Sequence, residues 1–171
     1  TGSGCIACTL AHEAPDAQVT ATDLMPHAVA LARENARRLG IAVTIGEGDL
    51  FAALPAGEAP FEVIVSNPPY VSDAEWDTLA RDIRDYEDVR ALLAGADGLD
   101  LVRRIIADAP DYLCPGGLLA MEIGEDQYPA VADLLDRRGF TAVAPVRDLA
   151  GINRIATGRW PGRSREEHLL P

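Results

Sequence analysis

Short apolar, β-branched stretches recur along this chain, and the apolar residues between them fall at helical spacing. Residues 19–22, ending at Asp23, 43–45, the run Val63-Ile64-Val65 ending at Asn67, 118–123, 140–146 and 154–157 read as strands. The Val63–Val65 run, apolar throughout, reads as a buried strand. Residues 5–13, 26–39, 97–109 and 126–138 read as helices. Pro26 stands where a helix would begin, Gly40 and Gly139 where helices would stop, and Leu99, Val102, Ile105 and Ile106 share one side of the third helix. Gly116-Gly117 reads as a break before the strand at 118–123, and residues 148–153 as the connection of a late hairpin. Residues 55–60 form a turn-rich connector, and 71–94 form a charged, irregular stretch with Trp76 and Tyr86 that would lie over a site as a flap.

Strands that alternate with helices imply an α/β fold: an open, mostly parallel, doubly wound sheet with helices on both faces. The late strand pair adds an antiparallel edge at the C-terminal side. By length, 171 residues make one domain, placed at 1–158, with a polar tail at 159–171. There is no internal repeat, and no linker is long enough to separate a second domain. The chain opens at Thr1 inside a Gly-rich loop, and such a loop normally follows a buried strand. That first strand is expected upstream of the given sequence.

Composition narrows the function. Apolar residues at 48% and charged residues at 25% are ordinary for a globular protein, and no apolar run reaches membrane-spanning length. A net charge of −12 argues against a large nucleic-acid surface and favours a small molecule or a protein partner. Three cysteines make a poor disulfide framework and point to a reducing, cytoplasmic setting. Cys5 and Cys8 form a C-x-x-C with His12 four residues on, but no second ligand pair follows at zinc spacing. Both cysteines read as small core residues of the first helix, and Cys114 as core filler. His12, His27 and His168 are scattered. Arg81, Arg84 and Arg90 read as a solvated charged face.

The chemistry concentrates at Asn67-Pro68-Pro69-Tyr70. Neither proline donates a backbone hydrogen bond, and each presses the residue before it into an extended conformation. The result is a stiff elbow at the carboxyl end of a strand, where open α/β sheets bind ligands. Asn67 offers a carboxamide and Tyr70 an aromatic face, which together suit a planar NH2-bearing substrate. Upstream, Gly2-x-Gly4-x-x-Ala7 matches the loose dinucleotide pattern, and Thr1, Gly2, Ser3 and Gly4 would bring backbone close to a ligand at a helix N-terminus. Asp23, 19 residues after Gly4, could accept both hydroxyls of a ribose or cap the next helix. Asp49 could accept from an adenine amine or serve as another cap, while Leu50 and Phe51 could wall the base. These features fit NAD as well as S-adenosylmethionine. Nothing resembles a hydride-transfer site, whereas Asn67–Tyr70 has a use in methyl transfer, which favours S-adenosylmethionine.

Taken together, these residues resemble the HemK/PrmC family of protein-(glutamine-N5) methyltransferases, which modify peptide chain release factors. The resemblance runs to about Arg159. Thr1–Gly4 is similar to the end of the family's Gly-rich loop, and Asp23 to its ribose-binding acid. Gly48-Asp49-Leu50-Phe51 resembles the segment that packs on adenine, with Leu50 where some members have tryptophan. Asn67-Pro68-Pro69-Tyr70 matches the substrate motif. Tyr86-Glu87-Asp88-x-x-Ala91-Leu92 resembles a further family segment, with Asp88 in place of a proline. Gly98-Leu99-Asp100, Pro115-Gly116-Gly117, Glu122-Ile123-Gly124 and Arg147-Asp148-Leu149-Ala150-Gly151 resemble later landmarks. The resemblance implies a Rossmann-like S-adenosylmethionine-dependent fold and transfer of a methyl group to the side-chain amide of a glutamine, most naturally in the Gly-Gly-Gln loop of a release factor. It also implies that Asn67, Pro68, Pro69 and Tyr70 hold the substrate, and that Thr1–Gly4, Asp23, Asp49, Leu50 and Asn67 line the cofactor. A ribosomal protein stays open as substrate, as does oligomeric state. The family usually carries a helical N-terminal domain that helps grip its substrate, expected upstream of this sequence. Two alternatives stand beside this one. The Asn-Pro-Pro-Tyr motif is shared with DNA and RNA amino-methyltransferases, and a non-catalytic nucleotide-binding module would use the Gly loop alone.

Overall fold

A computed structural model describes residues 1–57, 60–76, 81 and 88–162, apart from the side chain of Arg90. The chain divides into two compact units, Thr1–Glu58 and Ala59–Pro171. In the first unit, α1 (Cys5–Glu13), β1 (Thr20–Asp23), α2 (Pro26–Leu39) and β2 (Thr44–Glu47) alternate as the apolar spacing requires. Strands β1 and β2 pair in parallel from Thr20↔Thr44 to Asp23↔Glu47. Val29, Ala32 and Ile45 form the buried cluster of this unit, joined by Ala21 and Val43. Pro26 occupies the first turn of α2, and Gly40 ends the helix in the left-handed conformation with its N–H on the carbonyls of Ala36 and Arg37. A short 3-10 turn, Leu50–Ala53, folds back over β2. It comes so close that a Cβ at Gly46 would lie 2.3 Å from the Ala53 carbonyl oxygen.

The second unit holds a four-stranded mixed sheet in the order β3-β4-β6-β5. The strands are β3 (Phe61–Ser66), β4 (Leu113–Glu122), β5 (Thr141–Arg147) and β6 (Asn153–Arg159). β3 and β4 are parallel, and β6 runs antiparallel to both β4 and β5, which places the expected antiparallel hairpin at the edge. Helices α4 (Asp100–Asp108) and α5 (Tyr128–Arg138) complete the unit, with a four-residue helix α3 (Asp73–Trp76) after the elbow. Val102, Ile105, Leu119, Met121, Ile123, Val131 and Leu135 are almost wholly buried.

Four differences from the sequence reading have local causes. β4 begins at Leu113, five residues earlier than its apolar run. Phe61 pairs with Leu113 and Val63 with Leu118, so Cys114–Gly117 bulges out within the strand instead of breaking it. Gly116 is left-handed at φ 84°, and its N–H donates to the Trp160 carbonyl at 2.6 Å while the Trp160 N–H donates to Gly117 at 2.8 Å. The strand through Val63 and Val65 is not buried: these side chains are 51% and 40% exposed, and among the described residues β3 stands at the end of its sheet. Helix α4 starts three residues later than expected, since an Asp97 carboxylate oxygen accepts from the Leu99 N–H at 3.2 Å and holds that segment as a turn. Finally, ordered structure passes residue 158. Arg159 pairs with Leu118 and Thr141, and Trp160 is buried with its ring 5.6 Å from that of Phe140.

The Arg138 guanidinium lies 5.5 Å from the centroid of the Trp160 ring. Trp160→Ala should therefore lower unfolding free energy by about 3 kcal/mol, the usual scale for truncating a buried aromatic ring. Urea titration reads this directly; a solvated tail would give no change.

Candidate functional site

In the first unit, the loop Thr1–Gly4 and the end of β1 come together. Gly4 is left-handed at φ 79° and leads straight into α1. A Cβ at Gly4 would sit 3.0 Å from the Ala32 Cβ, so the loop packs on α2 only with glycine there. The Asn35 carboxamide of α2 donates to the Ser3 carbonyl at 2.9 Å and ties the loop from its other side. A Cβ at Gly2 would meet nothing within 4 Å, so the backbone there stands open to a ligand.

Asp23 is the polar centre of this half. One carboxylate oxygen accepts from the Thr1 nitrogen at 2.7 Å and the Gly2 N–H at 2.8 Å, the other from the Met25 N–H at 2.8 Å. Burial pushes this carboxyl up, but its hydrogen bonds, those from the Met25 and Gly2 N–H groups among them, outweigh it and hold it below the usual carboxylate range. Asp23 is not the cap of α2: that position is Met25, whose N–H Asp23 binds. The Gly48 N–H donates to the Asp23 carbonyl at 2.9 Å, which brings Gly48 and Asp49 to the same strand end. Asp49 stands at the cap position of the 3-10 turn, without a side-chain capping bond. Leu50 beside it is left-handed at φ 47°, a conformation that costs a non-glycine residue about 1 kcal/mol.

In the second unit, the elbow has the form its residues dictate. β3 ends at Ser66, and Asn67–Tyr70 has no regular structure. Asn67 is exposed, Pro68 buried, and Pro69 and Tyr70 half-buried. Beyond the elbow, the Val71 N–H donates to the Leu92 carbonyl and the Ala94 N–H to the Val71 carbonyl, both at 2.9 Å. The Tyr70 carbonyl accepts from the Gln127 side-chain amide at 2.9 Å. Burial pushes the Tyr70 phenol up; the charge of the Glu122 carboxylate adds to the rise, and Arg154 opposes it. Arg154 in turn donates to Asp148 at 3.1 Å. The Asp148 carboxyl is held low, first by the Ile152 N–H, then against some burial by Arg154 and the Ala150 N–H.

Several residues singled out by sequence fall elsewhere. Cys8 is buried as expected, but Cys5 is exposed and Cys114 only half-buried. Among the described residues, no three His, Cys, Asp or Glu side chains gather to hold a metal. Trp76 ends α3 and is half-buried. Arg84, Tyr86, Glu87 and His168 lie outside the described residues, as does the Arg90 side chain. Asn35 and Gln127 escaped the sequence reading, because neither belongs to a motif or to an apolar period. Glu122 and Asp148 carried only a landmark signal, and Arg154 only a place in the last strand.

The comparisons with known proteins bear on this arrangement. The family model described as methyltransferase small domain matches residues 1–84. A release factor glutamine methyltransferase of Geobacter sulfurreducens is 46% identical over 158 residues, 92% of this chain and 55% of the relative. One of Xylella fastidiosa (strain 9a5c) is 47% identical over 163 residues, 95% of this chain and 58% of the relative. The chain thus spans little more than half the length of these curated relatives. Among solved structures, the hMettl16 catalytic domain in complex with MAT2A 3'UTR hairpin 1 matches with a TM-score of 0.70 at 16% identity, covering 92% of this chain and 61% of that one. A methyltransferase from Pyrococcus furiosus matches with a TM-score of 0.64 at 20% identity, covering 91% and 68%. The fold is that of the S-adenosylmethionine-dependent methyltransferases, an open Rossmann-like α/β architecture. Within that class the chain is similar, over nearly all of its length, to curated proteins named release factor glutamine methyltransferase. No helix among the described residues is long and apolar enough to cross a membrane.

Asp23 uses both oxygens as acceptors, which an asparagine cannot do. Asp23→Asn should therefore lower the urea midpoint at pH 7. A depressed carboxyl contributes stability that is present above its unfolded pKa, about 3.9 for an ordinary aspartate, and is lost as pH falls through the folded value. The gap between the two proteins should accordingly narrow as the titrations move from pH 5 towards pH 3 (about one unit either side of an ordinary carboxyl).

Proposed function

We propose that this domain transfers a methyl group from S-adenosylmethionine to the side-chain amide nitrogen of a glutamine in a protein, the Gly-Gly-Gln loop of a peptide chain release factor, in the cytoplasm. The observation that carries the proposal is the exposed Asn67 carboxamide at the carboxyl end of β3, backed by a buried Pro68 and an anchored Tyr70. The names of the relatives at 46% and 47% identity supply the substrate class.

The residues of the first unit fit the cofactor. The left-handed glycines leave backbone open above Gly2, and Asp23 stands at the end of β1 beside it. Two carboxylate oxygens offer about four acceptor positions, and the Gly2 and Met25 N–H groups take one on each oxygen. The remaining positions would meet the ribose hydroxyls. Thr1–Gly4, Asp23, Asp49 and Leu50 would hold the group, with Asp49 towards the adenine amine. When bound, S-adenosylmethionine supplies a methyl carbon already activated by its sulfonium.

An amide nitrogen is a poor nucleophile, because its lone pair is delocalised into the carbonyl. The protein therefore works by positioning. The Asn67 side-chain oxygen and the Pro68 carbonyl accept the two N–H bonds of the glutamine, aim its nitrogen and stabilise the positive charge that develops on it. Tyr70, its carbonyl held by Gln127, packs on the amide plane. No base is needed before transfer, since the proton leaves afterwards. A nucleic-acid substrate would also present a planar amine, but the structural likeness to the RNA-bound domain is one of fold, and the charge of −12 opposes a polyanion.

Asn67→Ala should reduce methyl transfer by about 10²- to 10³-fold, the usual cost of removing one preorganised polar group. Cofactor affinity by calorimetry should be unchanged. A labelled-methyl assay on a release factor and on its Gln-to-Ala version tests the substrate: label retained on the altered loop would exclude this glutamine.

A further inference from the structure

Two prolines make the Asn67–Tyr70 elbow stiff, and they also leave it hard to anchor. Pro68 and Pro69 carry no N–H, so the backbone cannot tie this segment down through those residues. The next anchored donor is Val71. Something else must set where the elbow sits, and a single side chain from far along the chain reaches it.

We infer that Gln127 is the positioning residue of the elbow, an inference that rests on the glutamine-methylating reading of Asn67–Tyr70. Its amide bridges the ends of two neighbouring parallel strands. The Gln127 nitrogen donates to the Tyr70 carbonyl at 2.9 Å, just beyond β3, and its oxygen accepts from the Gly124 N–H at 2.8 Å, just beyond β4. The carbonyls of Asp97 and Gly98 lie 3.4 Å and 3.5 Å from the same nitrogen. Three carbonyls on one side and an N–H on the other admit only one orientation of the amide. Turned over, it would set oxygen against oxygen and N–H against N–H.

The surroundings are shaped for this bridge. Gly98 is left-handed at φ 73°, and a Cβ there would lie 2.2 Å from the Tyr70 oxygen and 2.7 Å from the Gln127 nitrogen. A Cβ at Gly124 would lie 3.1 Å from the Gln127 carboxamide carbon. Two glycines on different elements thus clear the space one glutamine occupies. Gln127 also ends the Gly124 turn, its own N–H on the Gly124 carbonyl at 3.1 Å, immediately before α5. The turn is therefore rigid where the side chain leaves it, and the bridge transmits that rigidity to the residues that hold the substrate amide.

A positioning role predicts a split between kinetic constants. Q127M keeps the length and loses both hydrogen bonds; Q127E keeps the acceptor for Gly124 but turns an oxygen on the Tyr70 carbonyl. In the full chain, with a release factor as substrate, both should lower kcat by about tenfold to a hundredfold, the cost of misplacing a reacting group by about an ångström. Substrate KM should stay within about threefold and cofactor Kd should hold, because neither ligand touches Gln127. A folded Q127M with unchanged kcat overturns the inference, and so does a loss that lies wholly in KM or in cofactor Kd. Should neither variant fold, the unaltered protein decides by NMR. The chain has two glutamines, Gln18 and Gln127, and Gln18 is exposed. The Gln127 carboxamide protons should exchange at least about tenfold more slowly than those of Gln18, as expected for a held hydrogen bond; equal rates sink the bridge. If Asn67→Ala leaves kcat intact, the glutamine-methylating reading falls first, whatever Gln127 does. If Asn67→Ala abolishes turnover while Q127M does not, only the role of Gln127 is lost.

Discussion

The Pro68-Pro69 pair at the end of β3 imposes the constraint that the rest of the second unit answers. A strand end normally shares its N–H groups with a neighbour, and here two in succession are missing. The surrounding elements compensate with contacts that do not use the elbow's own donors. Val71 is bracketed by Leu92 and Ala94 on one side. The Tyr70 carbonyl is taken by Gln127. The consequence is an Asn67 that is exposed yet seated on a backbone with little freedom. On the proposed function, exposure would let it meet a substrate and rigidity would make that meeting productive.

The first unit solves the complementary problem of bringing backbone close to a ligand. Gly4 accepts the approach of Ala32, and Gly2 keeps its surface open. Asp23 gathers N–H groups from Thr1, Gly2 and Met25, so one carboxylate joins the loop to the strand end and to the start of α2. Its charge therefore serves structure. Leu50 adds a strained residue beside Asp49, of the kind that clusters at ligand sites.

Legibility followed sequence distance. α1 was legible to the residue, because Gly4 opens it and the spacing of its small residues is local. α2 was legible from Pro26 to Gly40 for the same reason. β4 was not: its first half carries a proline and two glycines, and only pairing with Phe61 on one side and Trp160 on the other makes it a strand. The edge exposure of Val63 and Val65 was hidden too, since a β-branched run reads alike in a central strand and at an edge.

The amino-acid order alone determined the alternation of strands and helices, the stiffness of the elbow, the left-handed glycines and the presence of a carboxylate after β1. These depend on backbone sterics and on neighbours within a few residues. Tertiary structure alone decided which distant side chains complete the candidate site. Sequence separations of 57 from Gln127 to Tyr70 and 32 from Asn35 to Ser3 leave no local trace, because a hydrogen bond across such a span depends on where packing brings two elements together and not on the spacing of residues along either one.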